Sequence, residues 1–326
     1  GHAPQISPSD GNLYILFLLQ MNFGVIGNAV ILAAYLGALF SGIKKIDFIV
    51  CHLSLVNLVS LLSRGIPYSM MLLGVPDVLT DVGCKAVIYT YRVTRALSIT
   101  STCNLSVFQL ATIAPTVSPW GKCKNLVTKY ILYSFVGFWI FHMCAYVFIP
   151  LTFGAPVNNT IPQKAINLGF CYAKFLDYIP ETISTIFTTG IDYLHVAIMT
   201  LCSVTMLVIL KRHRQQVRYL QSTTQKVELK ASKIIISLVS LYVFLYGIDS
   251  FLSLYFISRK DVSLIVTDMR VFLSSSYAAI SPFILIHFCK KVFAKWLSRN
   301  KESISVKITN VSHVSYGYMP TPTCPS

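Results

Sequence analysis

From Cys84 to Ala114 the chain runs without a proline or a glycine. Nothing in that stretch breaks a helix. At the usual rise per residue such a helix is about 46 Å long, more than a bilayer core is thick. Yet it is no plain lipid-facing span. Arg92 and Arg95 sit in its first half, and Ser98, Thr100, Ser101, Thr102, Asn104, Ser106 and Gln109 sit in its second. A helix this polar crosses a membrane only when other helices surround it. The expectation is a central strut inside a helical bundle.

Composition agrees with a membrane protein. Hydrophobic residues make up 54% and charged residues 12%, the latter about half the share of soluble domains. Six more apolar segments accompany the strut, each near the length that spans a bilayer. In order they are Asn12–Phe40, Ile46–Leu73 with a kink expected at Pro67, the strut, Tyr130–Phe153, Thr182–Leu210, Lys233–Ile257 and Asp268–Phe288. No apolar leader precedes Asn12, so no signal peptide is expected. No internal repeat is visible, which argues against a transporter.

Charge sets the expected orientation. One alternating set of connecting segments holds 18 of the 27 basic residues and only three acids, Asp47, Glu228 and Glu302. The rest of the chain is balanced, so the whole net charge of +15 belongs to one side. Short cytoplasmic loops are rich in Lys and Arg. That side is therefore expected in the cytoplasm against anionic lipid, with residues 1–11 outside the cell. Nucleic-acid binding is not expected from so polarised a distribution.

Of the nine cysteines, Cys51, Cys103, Cys144 and Cys202 fall in spans and read as small packing residues. Cys84 and Cys171 fall on the expected extracellular side, an oxidising compartment. Asn158-Asn159-Thr160 is a glycosylation sequon on Asn158 in the loop before the fifth span. The sequons at Asn104 and Asn310 fall in the membrane and the cytosol and read as chance.

Several local strings are distinctive: GVIGN in the first span, HLSLVNLVSLLSRGIP in the second, and YRVTRALSITSTCNLSVFQLATIAPTVSPW in the third. ILKRHRQQVRYLQ follows the fifth, and SPFILIHF lies in the seventh. With seven spans they resemble the vomeronasal type-1 pheromone receptors, including the related class A-like olfactory receptors of fish. The resemblance runs from about Asn12 to Arg299. It implies an all-α seven-transmembrane bundle of the G-protein-coupled receptor type, with a small-molecule ligand, a heterotrimeric G protein as partner, no enzymatic activity and no cofactor. It also implies a Cys84–Cys171 disulfide pinning the second extracellular loop. Ile113-Ala114-Pro115 stands where rhodopsin-like receptors carry Asp-Arg-Tyr. Asn57 stands at the usual sodium-site Asp, and Ser281-Pro282 replaces Asn-Pro. The family shares these departures. Bitter taste receptors are the neighbouring alternative; a small-solute transporter or a membrane enzyme belongs to other classes, and the chain shows neither a repeat nor a catalytic motif for them.

Ionisable groups at membrane depth usually mark function. Arg64, Arg92, Arg95, His142, Asp192, His195 and Asp249 are such groups. By helical rise Arg92 and Arg95 lie about 12 and 16 Å in from Cys84, at a depth similar to Asp192 and Asp249. A ligand pocket in the outer third of the bundle is expected from Tyr91, Arg92, Arg95, Asp192, Tyr246, Asp249 and Tyr277, with Tyr242 as a further wall. Interhelical salt bridges are the competing reading. Within the pocket Arg95 is expected to set ligand charge preference, with an anionic ligand displacing Asp249 from it. His142 and His195 read as packing histidines. Lys211, Arg212, Arg214 and Arg218 are expected to face a G protein or to anchor the fifth span. Residues 289–299 pattern as an amphipathic membrane-surface helix, with Cys289 as a palmitoylation candidate. Residues 300–326 read as a disordered tail.

Overall fold

The computed structural model describes residues 8–38, 44–75, 78–115, 118–155, 165–168, 170–174, 179–216, 233–249 and 264–288. Seven long helices lie among them, here numbered in chain order: Pro8–Ala38, Lys45–Leu72, Asp81–Ile113, Lys124–Ala145, Ile179–Gln216, 233–249 and Leu264–Phe288. Six are long and apolar enough to cross a membrane, and 233–249 is the seventh. The tail after Phe288 and its expected surface helix lie outside the described residues, as does Asn158.

The third helix is the strut. Of its membrane-crossing stretch 72% is buried, against 22% for the fourth and fifth helices. It starts at Asp81 rather than Cys84 because Thr80 caps it. The Thr80 hydroxyl accepts the Gly83 amide at 3.2 Å, and Asp81 puts a negative charge in the first turn. It stops after Ile113 because Pro115 forces Ala114 into an extended conformation.

Hydroxyls on the strut tie it to its neighbours. Ser98 donates to Asn57 Oδ1 in the second helix at 2.5 Å, and Asn57 Nδ2 donates to Ser281 Oγ in the seventh at 3.0 Å. Thr102 Oγ1 meets the Tyr277 hydroxyl at 2.6 Å, and Thr100 Oγ1 meets His142 Nε2 at 2.9 Å. Ser101 Oγ meets His52 Nδ1 at 2.9 Å. The far side of that ring, Nε2, accepts the Trp139 indole N–H at 2.8 Å. Indole only donates, so the His52 proton belongs on Nδ1 and points at Ser101. Thr100, Ser101, Thr102 and Ser106 each also donate to the carbonyl four residues earlier.

GVIGN finds its reason at the first and seventh helices. A Cβ on Gly24 would lie 2.8 Å from Ala279 Cα, and one on Gly27 would lie 2.8 Å from Pro282 Cγ. Only glycine permits that approach. Asn28 then bridges the two helices by donating to the Ala278 carbonyl at 2.9 Å.

Two expectations need correction, the bounds of the fourth helix and the place of Cys144. The fourth helix is Lys124–Ala145, not Tyr130–Phe153. It gives way to a 3-10 turn, Ile149–Thr152, where Pro150 lacks the amide hydrogen an α-helix would use. The bundle is all-α as expected, with one small sheet in the loop outside it. Phe153–Gly154 (β1), Ala165–Asn167 (β2) and Tyr172–Lys174 (β3) form an antiparallel sheet in the order β1-β3-β2, pairing Phe153 with Ala173 and Asn167 with Tyr172. Cys144 is exposed on the outward face of its helix rather than packed inside, whereas Cys103 and Cys202 are buried. The disulfide Cys84–Cys171 is formed and fastens β3 to the start of the strut.

Candidate functional site

Two chambers lie inside the bundle. The mouth chamber, near the disulfide, encloses about 750 Å3 including its opening, and is lined by Arg64, Ile88, Tyr91, Arg92, Arg95, Phe153, Leu168, Ala173, Asp249, Arg270 and Ser274. The deep chamber encloses about 440 Å3 and is lined by Asn57, Ser60, Arg95, Ser98, Tyr242, Leu245, Tyr246, Asp249, Leu273, Ser274, Tyr277 and Ala278. The room left for a molecule is about 130 Å3 in the mouth chamber and about 30 Å3 in the deep one, so the mouth chamber holds a small body and the deep one little more than a water. Arg95, Asp249 and Ser274 line both, so they form the partition between them.

The partition is ionic. Arg95 Nη2 donates to Asp249 Oδ2 at 3.0 Å, and Arg270 Nε donates to Asp249 Oδ1 at 3.4 Å. The carboxylate is 9% exposed. Asp249 thus ties the third, sixth and seventh helices together. Arg95 also lies over the Tyr246 ring, 5.9 Å from its centroid. Above the partition Arg64 sits over the Tyr91 ring at 4.7 Å and donates to Ser274 Oγ at 3.0 Å. Tyr91 and Arg95 are four residues apart, so the strut presents both on one face.

The expected site residues divide between the chambers. Tyr91 and Arg92 line the mouth chamber, Tyr242, Tyr246 and Tyr277 line the deep one, and Arg95 and Asp249 line both. Tyr242 packs edge-on against Tyr277 with ring centroids 4.8 Å apart. Asp192 is buried on the fifth helix and lines neither chamber, though it is within electrostatic reach of Arg92 and Arg95. His142 and His195 are hydrogen-bonded packing residues, their rings 6.4 Å apart; His195 Nδ1 donates to the Ile191 carbonyl at 2.9 Å. Lys211 and Arg212 are exposed on the last turns of the fifth helix, which runs on to Gln216 and so includes Arg214. Arg218 lies outside the described residues.

Sequence reasoning missed three contributors. Arg270, near the start of the seventh helix, supplies the second contact to Asp249. A lone cation just inside an apolar span was its signal. His52 joins the second, third and fourth helices, and its signal was a histidine at membrane depth in the second span. Phe153, Leu168 and Ala173 form a wall from the disulfide-tied sheet, and nothing local in the sequence marks them.

Comparison with known proteins accounts for this architecture. The sequence model of the vomeronasal organ pheromone receptor family matches residues 12–298. Olfactory receptor class A-like protein 1 of Danio rerio is 37% identical over 292 residues, covering 88% of this chain and 92% of that receptor. Vomeronasal type-1 receptor 3 of Homo sapiens is 30% identical over 288 residues, covering 86% of this chain and 92% of that receptor. Vomeronasal type-1 receptor 2 of Homo sapiens is 31% identical over 276 residues, covering 82% of this chain and 70% of that receptor. With its seven helices, its polar third helix and its tethered loop, the chain belongs to the vomeronasal type-1 receptor family.

Proposed function

We propose that this protein is a chemosensory receptor of the plasma membrane that binds a pheromone or odorant in the mouth chamber and signals to a heterotrimeric G protein. The observation that carries this reading is the Asp249 partition. It forms the floor of the mouth chamber and joins three helices, so a molecule resting on it acts on their relative positions. A receptor of this kind catalyses nothing; it shifts a conformational equilibrium between a ligand site and a partner site. The olfactory and vomeronasal relatives support the chemosensory setting. Charge asymmetry supports an extracellular N-terminus and a glycosylated Asn158. The exposed Lys211 and Arg212, with Arg214 and Arg218 beyond them, would meet the G protein on the cytosolic side.

The test is a ligand screen in transfected cells with a G-protein readout, with epitope tags at both termini read before and after permeabilisation. The expected result is a saturable response, lost in a receptor truncated before residue 211, with the N-terminal tag alone labelled on intact cells. Labelling of the C-terminal tag on intact cells overturns the orientation. A full-length receptor at the surface that is silent to a broad odorant panel with every G-protein class overturns the function.

A further inference from the structure

Five lysines converge where the second and fourth helices begin. Lys44 and Lys45 stand at the start of the second helix, and Lys122, Lys124 and Lys129 lie just before and within the first turns of the fourth. One contact holds the two ends together: Lys45 Nζ donates to the carbonyl of Thr128, the neighbour of Lys129. Beneath it Phe48 and Phe135 pack edge to face, ring centroids 5.5 Å apart. Lys124 and Lys129 are about 7.5 Å apart along their helix, so the cations crowd one seam. Lys44, Lys122, Lys124 and Lys129 are exposed. The two stretches that carry the five, 44–53 and 118–135, hold a single acid, Asp47. It accepts the Lys44 amide at 3.3 Å and the Tyr35 hydroxyl at 3.5 Å. Five cations less one carboxylate leave four positive charges. Among the described residues none of the five lysines makes an ion pair. An apolar face runs on from the seam. Leu126, Tyr130 and Tyr133 follow one another at helical spacing, exposed by 62%, 50% and 73%. Lys129 lies over the Tyr130 ring, 5.1 Å from its centroid. Exposed tyrosines suit the headgroup layer, with ring in lipid and hydroxyl in water. The bias of cytoplasmic loops toward Lys and Arg accounts for the sign of these charges, but not for their convergence on one seam beside a lipid-facing stripe.

We propose that this seam docks a bisphosphorylated phosphoinositide of the inner leaflet, its phosphates among Lys45, Lys122, Lys124 and Lys129 and its acyl chains along Leu126, Tyr130 and Tyr133. This rests on the orientation proposed above, with these helix ends in the cytoplasm. Lysine binds phosphate as a point charge. An ammonium has three donors, so the contact with Thr128 leaves Lys45 able to serve a phosphate as well. Each phosphomonoester carries about −1.5 to −2 charges near neutral pH, and two of them with the bridging phosphodiester roughly cancel the four positive charges of the seam. Phosphatidylserine, with its lone net charge, offsets one lysine at a time. A headgroup lodged here bridges the second and fourth helices at the end opposite the disulfide.

The test is native mass spectrometry of the full-length receptor released from nanodiscs, which counts the lipids that stay bound. The discs hold phosphatidylcholine with either phosphatidylinositol bisphosphate or phosphatidylserine, the second at a fraction giving equal total charge. Both faces of a disc are open, so retention does not depend on which face is cytoplasmic. The expected result is a bisphosphate lipid retained at least fivefold more often than phosphatidylserine. Lys122→Gln, Lys124→Gln and Lys129→Gln combined should abolish that preference. Lys233→Gln, at an exposed lysine where the sixth helix begins, should leave it unchanged. Should the triple variant fail to fold, Lys124→Gln and Lys129→Gln singly carry the comparison, each with at least a twofold loss. The proposal is overturned if phosphatidylserine is retained as well as the bisphosphate lipid, if the foldable lysine variants keep the preference, or if Lys233→Gln lowers it as much. Variants that hold the lipid but lose the G-protein response make the seam a protein contact instead. A receptor with the expected tag labelling and no lipid preference fails this inference alone, and one with the preference but reversed labelling fails the orientation.

Discussion

The two halves of the third helix solve the same problem in opposite ways. Both carry polar side chains through a membrane-spanning bundle. In the middle, Ser98, Thr100, Ser101 and Thr102 are neutral, and each finds a neutral partner on the second, fourth or seventh helix. Near the disulfide, Arg92 and Arg95 are charged, and among the described residues a carboxylate lies within ion-pair distance of the second alone. The four hydroxyls of the middle are all partnered, while Asn104 Nδ2 further along the same helix is buried without a partner among the described residues. At the mouth the described residues instead share one carboxylate, Asp249, between Arg95 and Arg270.

Four substitutions sharpen or break that contrast. Arg95→Ala should have the largest effect, a loss of about 3 kcal/mol of stability, because removing one partner of a buried pair strands the other. Arg270 still touches Asp249, which keeps the loss toward the low end. Arg95→Ala with Asp249→Ala should cost less than the sum of the singles, and strictly additive midpoints would show that the two do not couple. Cys171→Ala should cost roughly 2–4 kcal/mol by freeing the loop, read as reduced surface expression and a lower unfolding midpoint. Peptide mass spectrometry of unreduced parent protein that found both thiols free would contradict the bond.

Asn57→Ala tests the middle. It removes the acceptor of Ser98 and the donor to Ser281 together. The expected loss is roughly 1–3 kcal/mol for buried groups left unpaired, with ligand charge preference unchanged. A changed preference would dissolve the distinction between the two halves. Lys85→Gln should do least. Its pair with Asp81, at 2.6 Å, is exposed by 38% and 57%, and such surface pairs contribute about 0–1 kcal/mol. A midpoint shift rivalling Arg95→Ala would mean that exposure does not set the value of these ion pairs.

The helices were legible in the sequence because each carries a long apolar run, and the strut a stop at Pro115; its cap at Thr80 went unread, so its start was set three residues late. The strut was legible for the same reason, since polar residues in an unbroken helix have few places to go. Edges failed where tertiary structure decided them. Nothing local marks Ala145 as the end of the fourth helix, and the strands β1 to β3 are too short to show a period. The candidate site was half legible. Depth along a helix put Arg95 near Asp249, but depth says nothing of rotation about the axis. That is why Asp192, at a similar depth, faces neither chamber, and why Tyr277 belongs to the deep chamber rather than the mouth. Arg270 is a long side chain whose reach, not its position in the chain, brings it to Asp249.

The strut's hydroxyls bear on how that helix can move. Thr100, Ser101 and Thr102 each give their proton to their own helix and offer a lone pair to a neighbour. If the strut slides or turns, no hydroxyl proton on these three loses its acceptor. Only the neighbour's donor, on His52, His142 or Tyr277, must find another lone pair, and such atoms recur along the strut at nearly every residue from Ser98 to Thr102. The hydrogen-bond cost of moving the strut thus falls on the neighbours' donors and on Ser98, whose proton goes to Asn57, and not on these three hydroxyl protons.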